Sequence, residues 1–154
     1  MMQPILFKVR LFTGPGDRPR SQTALLWLLE ALCKVNQGHL EQKPYPPLYK
    51  AGVRYRREDG TEEWMDIPTI LASGFGDCED LACWRVAELR QQGVKASPYA
   101  RFKLIEGVHH YHALVKRYGP NGRTWLEDPS KKLGMGKTEA PVARRLLGPV
   151  QREG

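Results

Sequence analysis

The run Gly76-Asp77-Cys78-Glu79-Asp80 sets a cysteine behind a glycine loop, at the first turn of a predicted helix. The unpaired N–H groups of such a turn and the positive end of the helix dipole favour thiolate over thiol. A cysteine so placed suits nucleophilic attack, and it equally suits a small buried packing residue. A thiolate mechanism also needs a base and a third group that orients the base. His109-His110-Tyr111-His112 holds three of the chain's 4 histidines. Side chains alternate along a strand, so His110 and His112 share one face about 6.6 Å apart while His109 points the other way. Asp128, in Trp125-Leu126-Glu127-Asp128-Pro129-Ser130, follows the next hairpin, which returns the end of its strand toward the histidines. A carboxylate there can hold an imidazole and stabilise its charged form, although Asp-Pro is also an ordinary turn opening. On the residues alone, either His110 or His112 can serve as the base.

Nearby residues have plainer readings. Glu79 and Asp80 are favourable charges for the helix N-terminus, opposing the thiolate slightly. Cys83 lies about 140° round the helix from Cys78 and is assigned to the core, as is Cys33. Trp64 and Trp125 flank the site in sequence; either can wall a cleft, and core packing is the reading adopted for both.

These residues need particular elements to hold them. Ile5, Phe7, Val9 and Leu11 alternate with Lys8 and Arg10, predicting a strand over Ile5–Phe12, and a Gly- and Pro-rich loop follows at Thr13–Arg20. Ser21 suits the N-cap of a helix over Gln22–Gln37 that Gly38 closes, its leucines (Leu25, Leu26, Leu28, Leu29, Leu32) packed broadly into the core. Pro44, Pro46 and Pro47 impose an extended crossing. Val53–Arg57 and Thr61–Met65 flank Asp59-Gly60, a hairpin signature. Asp66 and Pro68 open a short helical turn through Ala72, and Ser73-Gly74-Phe75-Gly76 is a loop. A helix then runs over Asp77–Gln92, stopped by Gly93. Val94–Lys103, Val108–Tyr118 and Arg123–Glu127 read as strands, the last two joined by Pro120-Asn121-Gly122. Helices first and sheet after, on one core, make the chain α+β.

At 154 residues the chain has the length of one domain, without internal repeats; 1–154 is read as a single unit ending in a basic tail, 131–154, with a weak helical stretch near Val142–Leu147. Three unevenly spaced cysteines are too few for a disulfide scaffold and point to a reactive thiol or plain packing. No apolar run nears the ~18 residues of a membrane span. The start MMQPILFKVR lacks the pattern of a secretory signal, so a cytoplasmic protein with no membrane partner is expected. The net charge of +7 favours acidic partners without naming one.

Order and context add specificity. Gly76-Asp77-Cys78-Glu79-Asp80-x-Ala82, Leu89-Arg90-x-x-Gly93-x-x-Ala96, His112-Ala113 and Trp125-x-x-Asp128-Pro129, within Trp64–Ser130, resemble the core of the transglutaminase-like superfamily, and within it the small bacterial and phage-encoded members. The resemblance implies a papain-like fold, with the cysteine helix packed on an antiparallel sheet that carries His and Asp. It implies Cys78 as nucleophile, His112 rather than His110 as general base and acid, and Asp128 as the orienting carboxylate. The implied chemistry is acyl transfer at an amide through an acyl-enzyme, resolved by water or an amine, with no metal or organic cofactor. The chain departs from the family pattern twice. Leu114 stands two positions after the histidine, where an aromatic residue is common. No glutamine lies between Trp64 and Cys78 to hold the oxyanion, which leaves the N–H of Cys78 and a group in the Ser73–Asp77 loop, Gly76 and Asp77 among them. His110, Trp64 and Trp125 are the other substrate-side candidates.

Cysteine-dependent hydrolysis of a peptide or isopeptide is therefore the expected function. It ranks ahead of transamidation or deamidation of protein glutamine because the short chain shows no second-substrate module. The expected partner is a protein or peptide substrate, in the host cytoplasm or the virion if the chain is phage-encoded. Three other classes fit parts of the sequence. The same fold with an idle triad suits a structural or assembly component contacting phage structural proteins. His110 and His112 with Cys78 or Asp128 supply the ligand count of a zinc hydrolase, without an H-E-x-x-H or paired-cysteine signature. Arg54, Arg56, Arg57, Lys131, Lys132, Arg144 and Arg145 form basic clusters, but these are scattered without aromatic interleaving, so nucleic acid is not the expected main partner.

Overall fold

Leu25, Leu29, Cys33, Asn36 and Leu40 recur every three or four residues, and all five are buried along one face of a 25-residue helix, α1 (Arg18–Gln42). The computed structural model describes residues 18–57, 63–106 and 108–136; the predicted strand Ile5–Phe12, the Asp59-Gly60 turn and the helical stretch near Val142–Leu147 lie outside them. Ser21 lies inside α1 instead of capping it, and Arg18–Arg20 are helical where a loop is predicted. Pro19 falls in the first turn, where an N–H would have no intrahelical partner. The helix also passes through Gly38, which costs about 1 kcal/mol in a helix interior. Leu40 extends the buried face, and His39 Nε2 meets Asp66 Oδ2 at 2.8 Å. Tertiary contact thus overrides the expected stop at Gly38.

The extended crossing through Pro44, Pro46 and Pro47 ends in a 3-10 turn, Leu48–Lys50, that buries Leu48 completely. Strand β1 (Arg54–Tyr55) follows, but it does not form the predicted hairpin. It pairs in parallel with β2 (Phe75–Gly76), the segment just before Cys78. Arg54 N donates to Gly74 O and Arg56 N to Gly76 O, each at 3.0 Å, while Tyr55 N donates to Leu133 O at 3.0 Å. Both edges of β1 are therefore taken, leaving none for a partner in 63–65. Helix α2 (Ile67–Ser73) begins as expected: Asp66 caps it, Pro68 occupies its first turn, and Gly74 ends it with φ 81°.

Helix α3 (Cys78–Gln91) is the centre of the molecule. One side packs Ala82, Cys83, Val86 and Leu89 against α1 and the sheet; the other packs Leu81, Trp84 and Ala87 against Leu48, Ile67, Ile70 and Leu133. Strands β3 (Ala96–Ile105), β4 (Val108–Tyr118) and β5 (Thr124–Glu127) form an antiparallel sheet in that spatial order, within two residues of the predicted spans. Ala96, Ala100, Ala113 and Val115 bury one face of the sheet beneath the helices. Helix α4 (Pro129–Lys132) closes the described chain. The architecture is α+β, and no described helix is long and apolar enough to cross a membrane.

Candidate active site

Strand β5 pairs with β4 only from Tyr118 to Val115, so β4 has an open edge beyond that point. The N-terminus of α3 occupies it. Ala113 N donates toward Cys78 Sγ at 3.5 Å, which sets the sulfur against the residue that follows His112. His112 Nε2 in turn donates to Asp128 Oδ2 at 2.9 Å. Asp128 Oδ1 accepts from Lys131 N at 3.2 Å and caps α4, so one carboxylate holds the imidazole and starts a helix. Asp128 thus touches the His112 ring and opens a helical turn with the same carboxylate. Burial works against this carboxylate, but the hydrogen bond and charge of His112, then the Lys131 amide and charge, outweigh it and hold its pKa below the ordinary value. With Nε2 committed, Nδ1 is the nitrogen of His112 left for a reacting group.

Asp128 is anchored by its neighbour. Glu127 is buried and accepts from Tyr49 Oη at 2.5 Å, Arg85 Nε at 2.6 Å and Arg117 Nη1 at 2.6 Å. Arg85 also donates to Glu88 Oε1 at 2.8 Å, and Glu88 Oε2 accepts from Leu48 N at 3.1 Å. Burial would raise the Glu127 pKa, yet the Tyr49 hydroxyl, Arg85 and Arg117 overcome it and lower it. Burial and the same Glu127 carboxylate push the Tyr49 hydroxyl upward. This network ties the end of β5 to α3, β4 and the 3-10 turn. Sequence reasoning missed it; the available signal was a carboxylate at the core-facing position opposite Val115.

The nucleophile candidate departs most from expectation. Cys78 is 6% exposed, and its thiol donates to Glu79 Oε2 at 3.2 Å. Among the described residues its hydrogen-bond partners are Glu79 and the Ala113 amide; His112 is not one of them. Burial, then the charges of Glu79 and Asp77, raise the thiol pKa, and only the Ala113 amide pulls the other way. The advantage expected from the helix N-terminus is thus outweighed, and this conformation keeps the thiol protonated. Glu79 is not the charged group at the helix N-terminus that the sequence suggests: it is 1% exposed, and burial, then Asp80 and Asp77, push its pKa up to about 9. Its second oxygen, Oε1, is buried without a hydrogen-bond partner.

No family model, curated protein or solved structure matches this chain. The chemistry of the site accordingly rests on its own geometry. The capping box of α3 engages the candidate oxyanion donors. Cys78 N donates to Asp77 Oδ1 at 2.7 Å, and Asp77 N donates to Asp80 Oδ2 at 3.0 Å. Gly76 is a close-packing residue, since a Cβ there would meet the Leu81 side chain at 3.0 Å. Trp64 is half-buried against the cluster that contains Cys78. Trp125 is 49% exposed, not core; Arg117 stacks on it at 5.5 Å, five residues along β4 from His112. His110 shares the His112 face and pairs with Lys103 across the sheet. Leu114 is buried opposite Tyr99. Cys33 and Cys83 are core residues, and the Cys83 thiol donates to Leu29 O at 3.4 Å.

Asp77, Cys78 and Glu79 offer donor atoms within 4.8 Å of one another, and this group contains no histidine. Asp77 is committed to the helix cap, and the N–H dipoles of α3 oppose a cation there. The zinc combination of His110 and His112 must compete with the bond from His112 to Asp128.

Proposed function

We propose that the chain is a cysteine-dependent acyl-transfer enzyme on a transglutaminase-like, papain-like core, hydrolysing a peptide or isopeptide bond through Cys78, His112 and Asp128. The observation that carries this reading is the 2.9 Å bond between His112 and Asp128 at the stretch of β4 where the Cys78 sulfur meets the strand. The packing of α3 on an antiparallel sheet supports the core. In the reaction, the S–H proton of Cys78 passes to Nδ1 of His112, and the thiolate attacks the amide carbonyl carbon. The tetrahedral adduct collapses with rupture of the C–N bond, and the amine leaves with the proton from His112. Water deprotonated by His112 then cleaves the thioester, releasing the acid and restoring the thiol. Asp128 stabilises the imidazolium of each half-reaction. The conformation described is the resting form, from which the thiol turns from Glu79 to His112 and the N–H of Cys78 exchanges Asp77 for the oxyanion.

A second reading has an observation of its own. A buried, protonated thiol bonded to Glu79 suits an idle triad in a structural or assembly component. Alkylation of Cys78 by iodoacetamide across pH 5 to 9, with peptide mapping against Cys33 and Cys83, separates the two. Reactivity well below the ~8.5 of a free thiol, lost in His112→Ala and retained in His110→Ala, is the expected result. A Cys78 inert in the native protein at every pH leaves the assembly reading.

A further inference from the structure

The two thiols that the proposed reaction leaves unused meet inside the core. Cys33 on α1 and Cys83 on α3 are completely buried and belong to one cluster, where the two helices pack. The Cys83 thiol donates to Leu29 O at 3.4 Å. Cys33 follows Leu29 by one turn of α1, so the same carbonyl also takes the Cys33 N–H. A helical side chain leans toward the N-terminus of its helix, which carries the Cys33 sulfur back over the turn of Leu29. The sulfurs are accordingly neighbours, and the Cys33 thiol is itself a hydrogen-bond partner of Cys83. Arg90 fixes the register of the helices around them. It donates to Glu30 at 2.7 and 2.8 Å and to Gln37 at 3.0 Å, two residues that bracket Cys33 along α1. Cys78, at the start of α3, bonds instead to Glu79 and the Ala113 amide.

We propose that Cys33 and Cys83 are a redox-active pair that closes to a disulfide in an oxidising medium, stapling α1 to the helix that carries Cys78. The inference stands independently of the acyl-transfer reading. The oxidant is a low-molecular-weight disulfide, glutathione disulfide in the test below. One protein thiolate attacks it, forming a mixed disulfide and releasing one glutathione; the second protein thiolate attacks the protein sulfur of that mixed disulfide and displaces the other. Two protein thiols thus lose their hydrogens, and glutathione disulfide gains them as two thiols. Neither sulfur is exposed, so the first exchange takes place while the chain folds or during a local opening of the core, and repacking brings the pair together. In a glutathione-reduced compartment both remain thiols, as they are here. The link encloses about 50 residues, and a cross-link of that span removes much of the freedom of the unfolded chain. It forfeits the bond from Cys83 to Leu29 O, but that carbonyl keeps the Cys33 N–H.

The test equilibrates the full chain in glutathione buffers of graded oxidised-to-reduced ratio. One series starts from the folded, reduced protein and the other from protein reduced in urea and then diluted. N-ethylmaleimide quenches the exchange, peptide mapping identifies the link, and thermal melts compare linked with reduced chain. The expected result is a Cys33–Cys83 link that outnumbers either link to Cys78 by about tenfold or more and is reversed by dithiothreitol. The linked chain should melt about 5–10 °C above the reduced one. Cys33→Ala and Cys83→Ala each abolish that gain, every variant being compared with its own reduced melt so that the cavity left in the core cancels, whereas Cys78→Ser retains it. A link obtained only from the urea series equally supports the pair and dates the staple to folding. Absence of the Cys33–Cys83 link at every ratio in both series, links to Cys78 in equal amount, or a linked chain that melts at or below the reduced one overturns the proposal.

Discussion

The Cys78 thiol donates to the carboxyl of the very next residue, Glu79, at 3.2 Å, with both groups buried at the first turn of α3. The helix end that should favour a thiolate is thereby offset by its own neighbour. Glu79 is uncharged at neutral pH and ionises only at about pH 9, beside the sulfur. Glu79→Gln keeps the shape and removes that ionisation. The expected result is an alkylation profile that matches the parent chain below about pH 8, where Glu79 is neutral, and a faster Cys78 reaction in the variant near and above pH 9. Identical rates above pH 9 would show that Glu79 does not restrain the thiol.

Glu79 also makes the fold pH-dependent in a definite sense. Its folded pKa of about 9 stands above the ordinary 4.5, so the associated stability is complete below pH 4.5 and drains away as pH rises toward 9. Asp128 and Glu127 act in reverse: their lowered pKa values add stability above 3.8 and 4.5, and that stability is lost as pH falls through the folded values. Thermal melts from pH 3 to 10 should show Glu79→Gln flattening the arm between pH 5 and 9, with a Tm gain at pH 8 of about 2–4 °C or more. The acid arm should be unchanged. A parallel curve for the variant contradicts the assignment.

Glu127 should be among the costliest single losses in the described chain. Its removal in Glu127→Ala takes this acceptor from the Arg117 guanidinium and the Tyr49 hydroxyl and leaves Arg85 with Glu88 alone. Breaking a buried ion pair from one side costs about 3–5 kcal/mol. Urea unfolding measures this directly, and a loss below about 1 kcal/mol would show that the network is not structural. The same variant should weaken Cys78 alkylation at pH 7, because Asp128 follows Glu127 in the chain.

The two duties of Asp128 separate in a pair of variants. Asparagine is a good N-cap, so Asp128→Asn keeps α4, whereas Asp128→Ala forfeits about 1 kcal/mol. Neither supplies the carboxylate that accepts from the His112 ring. Both should lose about 10²–10⁴-fold in His112-dependent Cys78 chemistry, while only the alanine variant loses stability. Equal retention of reactivity in Asp128→Asn would reduce Asp128 to a cap.

Much of this molecule is legible along the chain. The Asp66 cap, the start of α3 at Cys78 and its stop before Gly93, and the spans of β3, β4 and β5 all follow from signals within a few residues: capping carboxylates, a left-handed glycine, alternation with period two. So does the nearness of His112 and Asp128, since one short connection folds β5 back along β4. Errors arise where distant residues intervene. Leu40 and His39 carry α1 past Gly38; Gly74, Gly76 and Leu133 claim the edges of β1 and displace a local hairpin.

Sequence by itself determined which groups can react and the order in which the elements present them, because caps, turns and alternation are decided by near neighbours. Tertiary structure alone decided their electrical state. Whether Cys78 is thiol or thiolate, and whether Glu79 and Glu127 are neutral or charged, depends on burial and on partners such as Ala113, Arg85, Arg117 and Tyr49, which lie from ten to more than seventy residues away along the chain. Desolvation and Coulomb interactions act through space, and no local pattern of residues encodes them.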